Sequence, residues 1–439
     1  MAVIRPFRGV RYNTDRVPNV GLVVTQPYDR IGPELHRHYL QQHPRSFVQL
    51  ILADADPHSS QAGNPYAGVA PLYRSWLQEG VLIRAQGPAL YVYHQTFNLP
   101  DGTLVTRRAF IGGLQLTPFE EGIVLPHERT LSAPKADRLN LFRATQVSFE
   151  PIFLLYSDPT NRINVLLDAA IGERQPDVDV RESFENDVRQ QLWEINDTDV
   201  IAAVPSAMAP ERRLIVADGH HRYETALTYR DEMRAAHPDA PADAGFNFAL
   251  VAFVSIDDPG LTILPTHRLV HSYVRMTAEE VEAAAAEYFA IRPLGTPADR
   301  ARMATALQES GRNGTAFGFI TPSRQSVWTL RSHRTMDELA PERSSAWRKL
   351  DVAVLHQLVL ERIMGLTPES IARQENLTYL RDAEEGRHVL ERGKAQFLFQ
   401  LNPTRIEQVR ACAEAGEQMP QKSTDFYPKM ISGLVIMEL

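Results

Sequence analysis

The chain has 439 residues, with 46 Lys and Arg against 54 Asp and Glu, for a net charge of −8. At 44% hydrophobic and 23% charged residues it can bury a sizeable core, which excludes wholesale disorder. The single cysteine, Cys412, excludes a disulfide framework and a cysteine-rich metal cluster, and it fits a reducing compartment. Net acidity argues against a protein that coats nucleic acid, because counterion release needs a basic face. The start, MAVIRPFRGVRYN, has no apolar run suited to a signal peptide, and no stretch of about 18 apolar residues occurs anywhere. The expectation is a cytoplasmic protein of two or three domains, without membrane partners and with nucleic acid disfavoured.

In chain order, residues 46–52 (SFVQLIL) read as a short buried strand, and 66–79 as a helix with Leu72, Trp76 and Leu77 along one side. Residues 90–97 (LYVYHQTF) and 104–111 read as a hairpin around Pro100-Asp101-Gly102. The mixed charges of 126–138 (PHERTLSAPKADR) suggest an ordered loop. A strand is expected within 147–156 and a helix over 161–172. Residues 187–192 look helical, 213–217 (RLIVA) read as a strand, 222–236 as a helix and 246–256 as a long buried strand.

Thr277 and Glu280 form a capping box for a helix running to about 289. Residues 315–320 and 327–330 read as strands, 346–364 as one long amphipathic helix, and 396–401 as a strand. Asn402-Pro403 is expected to open a helix. Boundaries near 165 and 275 give three regions: 1–165, 166–275 with the main motif, and 276–439 with a folded-back tail. The fold class is α/β, of the α+β type with mixed sheets.

P-loop, dinucleotide-binding, nucleophile-elbow, zincin and CxxC motifs are all missing. The most informative segment is 214–227, LIVADGHHRYETAL. An apolar strand ends at Asp218-Gly219 and a helix begins near His221-Arg222. Helix N-termini attract anions through their N–H groups and dipole. Gly219 permits a sharp turn and close approach. His220, His221 and Arg222 add donors, and Asp218 adds a carboxylate able to hold Mg²⁺ or accept a proton. The blander reading is a capping Asp218 with solvated histidines. A zinc site pairing His220 or His221 with Glu224 is disfavoured, because adjacent histidines in a turn point apart and no third ligand has the expected spacing. On the functional reading, Ala at Asp218 or Arg222 abolishes ligand binding and leaves thermal unfolding nearly unchanged.

Further clusters are His127, Glu128 and Arg129 in PHERT, His267 and Arg268 in LPTHRLV, and Lys422, Ser423 and Thr424 in the tail MPQKSTDFYPK. A lysine and two hydroxyls suit phosphate contacts. Asp29 in QPYD is more simply a turn carboxylate.

Together RPFRGVRYN, QPYD, LYVYHQTF, PHERT with KADR, ADGHHRYETA, LPTHRLV and MPQKSTDFYPK resemble the bacterial and archaeal domain-of-unknown-function family numbered 1015, nearly end to end. Arg30 departs from the aliphatic residue expected after Tyr28-Asp29. The Asp-Gly-His-x-Arg turn is similar to that of ParB/sulfiredoxin-type phosphate-binding proteins, a group that includes free-serine kinases. That resemblance implies a ParB/sulfiredoxin-like core elaborated at both ends, with Asp218, Gly219, His220 and Arg222 cradling nucleotide phosphates.

The expected activity is that of a small-molecule kinase, L-serine giving O-phosphoserine, with Mg²⁺ and ATP, ADP or pyrophosphate. In that reading Asp218, Glu128 and His220 are catalytic, and Asp218 also binds the metal. Gly219, His221, Arg222, Lys422, Ser423, Thr424, His127, Arg129, His267 and Arg268 contact the nucleotide. The alternatives are a ParB-like nucleotide-hydrolysing regulator and a metal-dependent hydrolase.

Overall fold

The computed structural model describes residues 2–52, 64–128, 132–185, 187–209 and 213–439. Two compact units divide the chain. One comprises Met1–Leu125, Thr130–Thr262 and Pro428–Leu439, and the other Pro126–Arg129 and Ile263–Tyr427. The fold is mixed α/β. Among the described residues, no helix is long and apolar enough to cross a membrane.

The first unit is built on a mixed sheet. Its strands follow the order Val124–Pro126, Leu214–Asp218, Ile152–Tyr156, Phe248–Ser255, Leu104–Gln115, Leu90–Asn98, Arg189–Ile195 and Val178–Arg181, and Ile4–Arg5 pairs with Leu104–Gln115. Ile152–Tyr156 runs parallel to Phe248–Ser255. All eight residues of Phe248–Ser255 are buried, as a strand covered on both faces requires, and this is why it reads as an unbroken apolar run. Phe253 stacks on Phe110 with ring centroids 4.7 Å apart. Val92, Leu154, Val216 and Val251 continue this core. The chain's last residues belong here too: Met437 pairs with Ser148.

The second unit has a six-stranded sheet in the order Phe289–Gly295, Gln325–Leu330, Ala316–Ile320, Phe397–Leu401, His267–Val270 and Leu377–Leu380. All its recorded pairings are antiparallel. Met303 and Leu307 of helix Arg300–Asn313 and Leu390 of helix Ala383–Glu391 pack into one core with Leu269, Val327 and Leu398. The Thr277–Glu280 capping box is present at helix Ala278–Ala285.

Several local expectations change. Residues 46–52 hold a short helix, Val48–Ile51, because a brief apolar run does not separate a buried helix from a strand. Of the expected helix at 187–192, residues 189–192 fall instead in strand Arg189–Ile195, paired along its whole length with Leu90–Thr96. The expected loop at 126–138 runs into helix Ser132–Thr145. The single long helix over 346–364 is broken into Ser345–Arg348, Asp351–Val354 and a π-helical stretch Leu355–Ile363. The last α-helix starts at Ile406, three residues beyond Pro403.

Candidate functional site

In the first unit, strand Leu214–Asp218 hands the chain to helix His220–Ala236 through Gly219 alone. The strand register shifts between Val216 and Asp218, a bulge that re-aims Asp218 opposite Phe153. Gly219 has φ +87°, in the left-handed region that disfavours side chains. A Cβ there would also lie 2.9 Å from Arg222 Nε. The turn therefore needs glycine twice over, once for its backbone and once because the Arg222 head folds back against it.

Arg222 is 6% exposed. Its Nη2 donates to Asp218 Oδ2 at 2.7 Å, and its Nη1 donates to the Pro151 carbonyl. Burial pulls its pKa down, but Asp218, Glu150 and Asp29 outweigh burial and leave it raised. The other Asp218 oxygen, Oδ1, faces Lys429 Nζ at 3.4 Å. One carboxylate thus stands between two cations at the start of a 17-residue helix. His220 and His221 are the first two residues of that helix and are partly exposed. Among the described residues no group of three or more His, Cys, Asp or Glu is placed to hold a metal ion.

Behind the turn lies a cavity of about 30 Å³ whose lining includes Arg138, Glu150 and Arg222. Glu150 accepts from the Tyr28 amide at 3.0 Å and from Ser432 Oγ at 2.8 Å. Arg138 lies 3.5 Å from Glu150 and caps the Tyr28 ring at 4.1 Å. The QPYD, KADR and DGHHR segments therefore meet in one network of this unit.

In the second unit a different set converges. His127 is fully buried, and its Nε2 shares a 2.8 Å hydrogen bond with Thr424 Oγ1. Glu128 accepts from the Lys422 amide, and Lys422 adopts φ +57°, an uncommon backbone state for lysine. Arg268 is 1% exposed and donates to the carbonyls of Gln421 and Lys422 at 3.2 and 3.0 Å. Its Nε donates to His356 Nε2 at 3.2 Å. Burial lowers the Arg268 pKa to about 10, so it stays cationic at neutral pH. Burial, with Arg268 adding to it, holds His356 well below its usual pKa, so His356 is a neutral acceptor. Ser423 Oγ donates to the Pro420 carbonyl, and the Ser423 carbonyl accepts from Thr404 Oγ1 at 2.7 Å. The loop 420–424 is thus fastened from several directions.

The sequence-predicted residues divide accordingly. The first unit gathers Asp218, Gly219, His220, His221 and Arg222. The second gathers His127, Glu128, Arg268, Lys422, Ser423 and Thr424. His267 stands apart: its Nδ1 accepts from the Leu401 amide at 3.1 Å, and burial, assisted by Arg268, lowers its pKa to about 4. Arg129 lies outside the described residues. Arg138 and Lys429 fall within the basic segments 127–138 and 422–429 of the sequence, whereas Glu150, Gln95 and Arg107 are polar residues hidden within apolar strand patterns.

The family described as "Protein of unknown function (DUF1015)" matches residues 4–353. No curated protein matches. Solved structures similar to this chain include a conserved hypothetical protein from Pyrococcus furiosus, with TM-score 0.34 and 15% identity over 70% of this chain and 90% of that one. A free serine kinase variant in complex with AMP gives TM-score 0.35 and 13% identity over 71% and 89% of the two chains. SbnI with a C-terminal truncation, from Staphylococcus aureus, gives TM-score 0.30 and 12% identity over 72% and 84%.

Proposed function

The chain belongs to the DUF1015 family, and for this member we propose a phosphotransferase that moves a phosphoryl group to the hydroxyl of a small metabolite, with free L-serine the first choice of acceptor. The observation that carries the reading is the Asp218 carboxylate, held between buried Arg222 at 2.7 Å and Lys429 at 3.4 Å where a strand feeds a helix N-terminus. Such a helix end favours phosphate. The choice of serine rests on the similarity of the Asp-Gly-His-x-Arg segment to that of free-serine kinases.

Phosphoryl transfer through a loose transition state needs positioning and charge more than covalent help. The acceptor oxygen forms a bond to the terminal phosphorus of ATP, ADP or pyrophosphate as the bond to the bridging oxygen breaks. The hydroxyl proton passes to a base, for which His220 is the candidate, with Asp218 holding the flanking cations in place, and the shortened phosphate chain leaves. The backbone at 219–221 and the Arg222 charge face the phosphates.

Asp218 does not suit a resident Mg²⁺, since one oxygen pairs with Arg222 and the other faces Lys429. Mg²⁺ wants an oxygen cage and often reaches proteins through phosphates. In this reading it arrives with the nucleotide as part of the substrate. In the second unit we assign Glu128 to hold the Lys422 backbone rather than to act as base.

The test is product analysis of the full chain with each donor and L-serine. O-phosphoserine supports the kinase. Free phosphate without acceptor dependence favours a nucleotide-hydrolysing regulator.

A further inference from the structure

Three residues on adjacent strands of the first unit's sheet form a polar row inside its core. Arg107 stands directly opposite Gln95, and Gln95 directly opposite Gln190. Their exposures are 0%, 1% and 1%. Gln95 Nε2 donates to Gln190 Oε1 at 3.0 Å, which also accepts from Tyr93 OH at 2.5 Å. Arg107 Nη2 donates to Gln95 Oε1.

The row has an outlet. Gln95 Nε2 donates to the Lys429 carbonyl at 2.8 Å, and Arg107 Nη2 donates to the Pro428 carbonyl. Proline at 428 fixes one further backbone angle. The stem of Lys429 is thus held at two consecutive carbonyls, and its ammonium reaches Asp218. Arg107 also lies 4.8 Å from the Phe153 ring, and Phe153 is the strand partner of Asp218.

Burying a guanidinium and two amides in a sheet core costs more than filling it with apolar side chains. Burial depresses the Arg107 pKa only to about 10, so the charge persists at neutral pH. A job other than filling space accounts for this row. Lys429 Nζ lies 3.4 Å from Asp218 Oδ1, beside the helix N-terminus where a phosphate is favoured.

We propose that Lys429 is a phosphate-contacting cation and that Arg107, Gln95 and Gln190, which touch no substrate, are its positioning residues. This inference rests on the phosphotransferase reading of the Asp218 turn.

The test uses the full chain with ADP, pyrophosphate and adenosine as probes. Lys429→Met is expected to weaken ADP and pyrophosphate binding about 30-fold while leaving adenosine binding within twofold, and Lys429→Arg recovers part of the loss. A structural role alone would weaken all three probes together. Gln95→Leu keeps the lysine but releases its carbonyl. It is expected to weaken pyrophosphate binding about tenfold and to lower kcat with acceptor KM unchanged. If Lys429→Met does not fold, Lys429→Gln is read in the same way. Unchanged pyrophosphate binding in the Lys429 variant overturns the inference and leaves the phosphotransferase standing. Unchanged behaviour of Gln95→Leu overturns the positioning role. A folded wild type that binds neither ADP nor pyrophosphate overturns the phosphotransferase reading, and the inference with it.

Discussion

Asp218 and Arg222, four residues apart, close the strand-to-helix turn with a 2.7 Å ion pair directly over Gly219. This pair is as much architecture as chemistry. The sequence alone suggests that Arg222 is a turn residue whose loss leaves unfolding unchanged. Its 6% exposure and its bond to the Pro151 carbonyl change that expectation. Removing Arg222 leaves Asp218 facing Lys429 alone and the Pro151 carbonyl without its donor, at a cost of about 1–3 kcal/mol. Arg222→Met is therefore expected to lower stability by roughly that amount in urea unfolding, and to abolish ADP binding. Asp218→Asn keeps the shape and is expected to cost less stability while losing transfer activity.

Gly219→Ala tests the turn itself. The alanine would carry φ +87° and press its Cβ against the Arg222 head. Strain of this kind costs about 1–3 kcal/mol. The expected result is a lower unfolding midpoint and loss of ADP binding. Wild-type values for both would show that the turn is slack and that its glycine serves no purpose.

Asp351 supplies a pH test in the second unit. Burial pushes its carboxyl up to about 7, with hydrogen bonds from Asn402 and the Ala316 backbone pulling the other way. A raised folded pKa means that the protonated form suits the fold. Its favourable contribution is complete below the unfolded value near 4 and is lost as pH rises through 7. Asp351→Asn is expected to unfold at a higher temperature than wild type at pH 8. The gap should close as pH falls to about 4.

His267 supplies the opposite limb. Burial lowers its pKa to about 4 against an ordinary 6.5. The neutral ring suits the fold, so its contribution is present above 6.5 and is lost as pH falls through 4. His267→Asn can keep an acceptor for the Leu401 amide without a titrating ring. It is expected to cost about 1 kcal/mol at pH 7 and to flatten the acid limb of the stability profile, read by denaturation between pH 4 and 7.

Much of this was legible in the sequence where period and punctuation agree. The hairpin at 90–115, the strand-turn-helix at 214–236 and the Thr277 capping box carry local signals strong enough to fix their type. Residues 187–195 do not, because their polar members are strand residues fixed by pairing with Leu90–Thr96, a partner about 100 positions away. The Asp218 turn stands out in the sequence as a candidate, but its depth does not. Nothing near Arg222 announces that Glu150 and Pro151 bury it. Lys429 was hidden for the same reason, since Gln95 and Arg107 hold it across more than 300 residues of chain.

Phosphoryl transfer at the Asp218 turn can be followed by ³¹P NMR of the full chain incubated with L-serine and, in turn, MgATP, MgADP and pyrophosphate. The expected spectrum carries a phosphomonoester resonance of O-phosphoserine with at least one donor, absent without serine and absent in Asp218→Asn. A folded wild type that yields no phosphoester with any donor, or an Asp218→Asn variant that yields it at the wild-type rate, would rule out phosphoryl transfer at this turn.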